Sequence, residues 1–229
     1  MRNKTITVLL FSFLGLVVVL SAIGCSSGNE QNEVPGMETI EIREYQGEDL
    51  SSINDLRENS IAGPQYVNGE TYRLNIKGLV NSPLTLTYDE VISQNLSYQK
   101  VIKLDCVEGW SVTILWEGVS LKDLFEKTGI KPEANTVIFR SYDGYSTSLP
   151  LSYILEKNII LAYKMNGVII PPERGFPFQV VAESKWGYKW AKWVTEIEIS
   201  DDPSFRGFWE QRGYSNEGDL DKEFYDYNP

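Results

Sequence analysis

The 229-residue chain contains no histidine and only two cysteines, Cys25 and Cys106. Without histidine there is no Cys/His zinc site, no histidine-ligated haem and no Ser-His-Asp triad. Two cysteines are too few for a cysteine-ligated iron–sulfur cluster. No phosphate loop and no GxGxxG turn is present, so the common nucleotide-binding signatures are missing as well. Positive charge is also scarce, with 21 Lys and Arg against 32 Asp and Glu and a formal net charge of −11. Such a chain repels phosphate backbones, and nucleic acid is not expected among its partners. What is left for chemistry is a set of carboxylates without a motif and very few soft ligands.

One long apolar run is present. Arg2 and Lys4 precede "ITVLLFSFLGLVVVLSAIGC", an uncharged stretch followed by "SSGNEQNE". The charged start, apolar middle and small-residue ending describe an export signal. A membrane-spanning anchor is the alternative, because the run approaches spanning length. The ending decides the expectation: "AIGC" resembles the lipobox of bacterial-type lipoproteins, in which the cysteine is acylated and becomes the new N-terminus. Residues 1–24 are therefore expected to be a signal peptide and Cys25 a lipidation site. Loss of Arg2 and Lys4 would take the formal charge from −11 to −13. Attachment to the membrane would then rest on lipid and not on a basic patch. The expected location is extracytoplasmic and membrane-anchored.

If Cys25 carries lipid, Cys106 is alone. No intramolecular disulfide can form, although the compartment would permit one. An unpaired thiol outside the cytosol is a liability unless it is buried or ligated. In "IKLDCVEGWS", residues 102–111, strand alternation puts Ile102, Leu104 and Cys106 on one face, with Lys103 and Asp105 on the other. The thiol should face inward where the strand gives way to a turn. An inert, buried thiol is one reading of this and a ligand is the other.

Residues 25–65 read as an acidic tether and lead-in segment, polar with Gly and Ser. "YRLNIKG" then alternates as a half-buried strand. Pro83 should end that strand, and Thr87 with Glu90 forms a capping box for a short helix. Ser120 and Asp123 suggest a second N-cap, with Leu121, Leu124 and Phe125 on one face and Gly129 closing the helix. "NTVIFRSYDGYSTSLP" gives two strands around an Asp-Gly turn. "IILAYKMNGVII" is a hairpin in which Asn166-Gly167 suits a type I′ turn. "FQVVA" and "WVTEIEI" supply later strands. Many short strands with brief helices indicate an α+β class, β-dominated with mixed sheets and short helices. The domain is placed at residues 66–200, and residues 201–229 form an aromatic, acidic tail expected to pack on it.

Five stretches, "YRLNIKGLVNSPLTLTYDEV", "KLDCVEGWS", "FRSYDGYSTSLPL", "LAYKMNGVIIPPERGFP" and "GYKWAKWVTEIEIS", resemble the molybdopterin-binding domain of the sulfite oxidase family, in family order. The C-terminal "RGFWEQRGYSN" is similar to that family's closing segment. The resemblance implies a molybdenum–molybdopterin cofactor, with Cys106 as a direct metal ligand. It also implies oxygen-atom transfer on a small oxo-substrate or sulfoxide, with electrons passing to or from a separate electron-transfer partner. Position by position, it suggests Ser141 near the metal and Arg174, Trp190, Ala191 and Lys192 as cofactor contacts. Arg140 or Arg174 would attract an anionic substrate.

Two positions depart from the family pattern. Arg174 stands where many relatives have histidine or asparagine, and Gln179 stands where many have arginine. Gln179 cannot replace a lost positive charge, whereas Arg174 donates strongly to an anionic group. "ENSIAGPQYVNGE" also lacks the polar motif expected to touch the pterin. These departures support a rival reading, a cofactor-free domain of the same fold acting as a binding or assembly lipoprotein. The retained "CVEGWS" argues for the enzyme.

Overall fold

A computed structural model describes residues 40–226; residues 1–39, with Cys25 and the expected export signal, and residues 227–229 lie outside the described part. Within that part no helix is long and apolar enough to cross a membrane.

The lead-in segment carries a hairpin of β1 (Glu44–Tyr45) and β2 (Glu48–Asp49), turned at Gln46 and Gly47, which both have positive φ. Leu50, Ile53 and Leu56 follow and are buried. A single 3-10 turn over Ile53–Asp55 is capped by Ser52 in a full capping box.

The domain proper begins with β3 (Leu74–Gly78), β4 (Leu84–Leu86) and α1 (Tyr88–Ser93). Thr87 and Glu90 make the expected reciprocal cap on α1. The long hairpin of β5 (Ser97–Asp105) and β6 (Ser111–Ser120) leads into α2 (Leu121–Thr128). This helix starts at Ser120 and ends at Gly129 in the left-handed region, with Leu121, Leu124 and Phe125 buried. A second hairpin, β7 (Thr136–Ser141) and β8 (Ser146–Pro150), precedes α3 (Leu151–Lys157). Then β9 (Ile160–Met165) and β10 (Val168–Ile169) turn at Asn166-Gly167, with φ of 49° and 79° as a type I′ turn requires. Finally come β11 (Gln179–Val181) and β12 (Val194–Ser200).

These strands form two five-stranded sheets. One has the order β4-β3-β12-β7-β8 and is mixed, because β12 runs parallel to β3 and antiparallel to β7. The other is antiparallel, with β5, β6 and β9 in order and both β10 and β11 paired to β9. One continuous core draws on both sheets, including Leu74 and Ile76 from β3, Ile114 and Trp116 from β6, and Ile197 from β12. This is the β-dominated α+β architecture that the pattern of short strands predicts. Strand β4 was not foreseen: Pro83 does interrupt the chain, but pairing resumes at once, Leu84 opposite Ile76 and Leu86 opposite Leu74. Three residues are too few to show a periodicity.

Candidate functional site

Strand β5 ends as its alternation predicts. Leu104 and Cys106 are 5% and 4% exposed, while Lys103 and Asp105 pair with each other outside at 2.6 Å. The chain then reverses: Gly109 N donates to Cys106 O at 3.0 Å, and Cys106 N donates to Trp110 O at 2.9 Å. Gly109 has φ of 82°, a conformation that disfavours any residue with a Cβ, which is why a glycine stands in "CVEGW". Asn59 Nδ2 lies 3.6 Å from Cys106 Sγ. Burial, and then the Glu108 charge, push the thiol pKa up, and the Glu108 backbone N–H, the Asn59 amide and the Arg57 charge partly oppose them. Among the described residues no group of three or more His, Cys, Asp or Glu is placed to hold a metal.

Cys106 lines a cavity of about 120 Å³. A second cavity of about 50 Å³ adjoins it, and Asn59, Gly187, Trp190 and Lys192 line both. Gly187 suits this shared wall, since a Cβ there would come 3.3 Å from Asp105 O and 3.6 Å from Cys106 Cα. The smaller cavity is cationic, with Arg57, Arg174 and Lys192 beside Gln179. Arg174 is presented by a 3-10 turn over Pro172–Arg174. Lys192 is 18% exposed, lies 3.4 Å from Glu58 and sits 4.4 Å above the Trp193 ring. Burial lowers the Lys192 pKa against the pull of Glu58 and Asp143.

The other predicted residues divide. Trp190 lines both cavities and donates its indole N–H to Lys185 O at 3.0 Å. Ala191 is fully buried behind them, its carbonyl accepting from Val180 N at 2.9 Å. Ser141 is not part of either wall, although Asp143, two residues on, lines the larger cavity; its Oγ is buried without a hydrogen-bond partner. Arg140 stands elsewhere. It bonds Glu196 at 3.1 Å and Glu198 at 2.8 Å and lies over Phe205, so its charge is already engaged on the far side of β7 from Ser141. Arg140, expected to draw an anionic substrate, lines neither cavity.

Several wall residues are not singled out by the sequence. Asn59 comes from a segment in which no polar contact was foreseen. Tyr145 and Asp143 lie in the β7–β8 turn, and Trp209 and Tyr214 come from the C-terminal segment. Trp193 adopts a left-handed φ of 53° just before a bulge in β12, an uncommon conformation for a bulky residue. Its indole N–H donates to Pro172 O at 2.6 Å, tying the Arg174 turn to the site. The C-terminal wall is held by Lys189, whose ammonium donates to Glu210 Oε1 at 2.7 Å with both side chains 0% exposed.

Comparisons with known proteins identify the family. A family model for the oxidoreductase molybdopterin binding domain matches residues 61–209. The uncharacterized oxidoreductase YuiH of Bacillus subtilis (strain 168) is 36% identical over 157 residues, covering 68% of this chain and 78% of the relative. The protein-methionine-sulfoxide reductase catalytic subunit MsrP of Ralstonia nicotianae is 26% identical over 145 residues, 57% of this chain and 44% of the relative. The chain thus spans less than half of the second relative's length. Among solved structures, the sulfane dehydrogenase SoxCD of Paracoccus pantotrophus shares the fold at a TM-score of 0.58 and 24% identity, covering 61% of this chain and 41% of the other. The family-model match, running from the lead-in segment through Cys106 to Trp209, places this chain in the oxidoreductase molybdopterin-binding domain family, that of the sulfite oxidases.

Proposed function

We propose that the protein is an extracytoplasmic, lipid-anchored molybdopterin-dependent oxidoreductase that reduces a small sulfoxide or related oxo-compound. The observation that carries this reading is the buried Cys106 thiol at the wall of a cavity whose neighbour gathers three cations. That donor set fits the cofactor. A thiolate is a soft, anionic ligand suited to a metal already held by sulfur, and Arg57, Arg174 and Lys192 suit an anionic pterin phosphate. Arg57 brings to the small cavity the positive charge that Gln179 does not, which weakens the main support for a cofactor-free domain.

In this reading Cys106 ligates the metal, Asn59 donates to its sulfur, and Arg57, Arg174 and Lys192 hold the pterin side. When bound, the cofactor supplies two-electron oxygen-atom transfer, and the protein supplies binding, orientation and electrostatics. The overall reaction consumes the sulfoxide, two protons and two electrons and releases the sulfide and water. The electrons come one at a time from a separate donor, and the words "catalytic subunit" in a relative's name are in keeping with such a partner. The lipid anchor rests on "AIGC" and the charged start before the apolar run.

Metal analysis with absorption spectroscopy tests the reading. Cys106→Ser keeps the size of the side chain but replaces a thiolate by a hard, poorly ionised hydroxyl. The purified wild type should contain molybdenum and show a thiolate-to-metal band. The variant should fold, lose that band and lose turnover. An unchanged spectrum would mean that the thiol is merely buried.

A further inference from the structure

We infer that the larger cavity selects a substrate carrying positive charge, a sulfoxide or amine N-oxide with an ammonium substituent, and excludes oxyanions. This rests on the oxygen-transfer reading above and names the substrate class of that same site.

The two cavities differ in charge. Arg57 and Arg174 line only the smaller one. In the larger one the single cation is Lys192, already paired with Glu58 and laid over the Trp193 ring. Two carboxylates, Glu108 and Asp143, share that wall. Six aromatic residues, Tyr145, Tyr188, Trp190, Trp193, Trp209 and Tyr214, make up much of the remaining wall, with Asn59, Ser60 and Cys106 as its other polar members.

The polar ends of four of those rings are used elsewhere. Tyr145 donates to Tyr188 O, Tyr188 to Ser215 O at 2.8 Å, Trp190 to Lys185 O at 3.0 Å and Trp193 to Pro172 O at 2.6 Å. Those rings therefore have no N–H or O–H to spare for a ligand, only ring surface. An oxyanion entering here would meet two carboxylates and no unengaged cation, with only neutral donors such as the Trp209 N–H and the Tyr214 hydroxyl to offset its desolvation. A methylated ammonium group would meet π faces and two negative charges, the arrangement that recognises quaternary ammonium ligands. Arg140, the other arginine that could have attracted an anion, is held by Glu196 and Glu198.

The chemistry balances as a reduction. The S–O or N–O bond breaks, the oxygen leaves as water with two protons, and two electrons arrive from a one-electron donor such as a reduced viologen. The ammonium group is not altered.

The test uses the full-length holoprotein and two readouts. In the first, tryptophan fluorescence follows binding of 3-(methylsulfinyl)propyl-trimethylammonium, of 3-(methylsulfinyl)propanoate, and of sulfite and nitrate. The cationic sulfoxide should bind at least tenfold more tightly than the anionic one, and than either oxyanion. In the double variant Glu108→Gln, Asp143→Asn that preference should shrink at least fivefold. Equal or tighter binding of the anionic sulfoxide, sulfite or nitrate overturns the inference, as does a preference unchanged by the double substitution. In the second readout, viologen-coupled turnover ranks the same compounds by kcat/KM, and the cationic sulfoxide should lead. Selective binding of the cation without turnover of any sulfoxide or N-oxide would sink the reaction proposed above while the charge selectivity of the cavity stands.

Discussion

The ion pair between Lys189 and Glu210 should be strongly coupled, and removing one charge should cost far more than removing both. Both side chains are 0% exposed. Lys189 gives one hydrogen bond to Glu210 Oε1 at 2.7 Å and another to Asn216 O at 2.9 Å, and Thr147 Oγ1 donates to the same carboxylate oxygen at 2.5 Å. Burial lowers the Lys189 pKa, and the Glu210 carboxylate opposes that shift. Glu210→Gln keeps the shape and the acceptor for Thr147 but leaves a buried ammonium without its counter-ion. Breaking such a pair from one side costs about 3–5 kcal/mol. At roughly 2–4 °C per kcal/mol for a domain of this size, the melting temperature should fall by about 6–20 °C. In the double variant Lys189→Met, Glu210→Gln no charge remains, and at least half of the loss should return. Thermal and urea unfolding of all four proteins complete the cycle. A drop below about 2 °C in the single variant, or a double variant as unstable as the sum of the singles, would refute the reasoning. The pair also anchors Trp209 and Tyr214 against the 3-10 turn over Gly187–Lys189. Amide exchange around residues 209–215 should therefore quicken in Glu210→Gln.

Lys192→Met should keep the packing on Trp193 and lose a charge-assisted hydrogen bond of roughly 1.5–3 kcal/mol, weakening cofactor retention by roughly ten- to a hundredfold. Molybdenum per protein after long dialysis checks this, and equal occupancy in both proteins would remove Lys192 from the cofactor contacts. Burial acts to raise the Asp219 pKa, but Lys185 and Lys222 outweigh it and hold the carboxyl below its ordinary value. A depressed folded-state pKa gives stability that is full above the unfolded value and lost as pH falls through the folded one. Asp219→Asn should therefore lower the urea midpoint at neutral pH and much less near about pH 2.5; a gap that does not narrow on acidification counts against the pairing. Cys25→Ser should yield an unacylated precursor with its signal uncleaved, and intact-mass analysis of native protein without acyl chains on Cys25 would reject the anchor.

Much of the architecture was legible because local rules decided it. The Thr87–Glu90 box, the Ser120 cap, the Gly129 stop and the Asn166-Gly167 turn each act within a few residues, and each appears where its residues stand. Cys106 was legible for a similar reason: a period-two pattern fixes its face, and Gly109 fixes the turn beyond it. Much of the cavity wall was not. Asn59, Asp143, Trp209 and Tyr214 come from four segments brought together only by tertiary packing, so no spacing in the chain announces them. Arg140 shows the same limit from the other side. Its sequence neighbourhood suggested an anion contact, but β12 places Glu196 and Glu198 against it, and those partners lie more than fifty residues away.

The net charge illustrates why composition and site chemistry can point in opposite directions. A chain of net −11 should repel anions at long range. That field is screened within about 8–10 Å at ordinary ionic strength. Inside a small cavity the nearest groups decide instead, and the scarce cations Arg57, Arg174 and Lys192 meet around one such space. The surplus carboxylates are distributed otherwise: Glu196 and Glu198 neutralise Arg140, and Glu108 and Asp143 face the neighbouring cavity. On the proposed function, an acidic protein thereby gains a cationic pocket for an anionic cofactor beside an acidic, aromatic one for its substrate, with Cys106 lining the latter and Lys192 on the wall between them. Long-range repulsion of oxyanions then reinforces what the larger cavity does at contact.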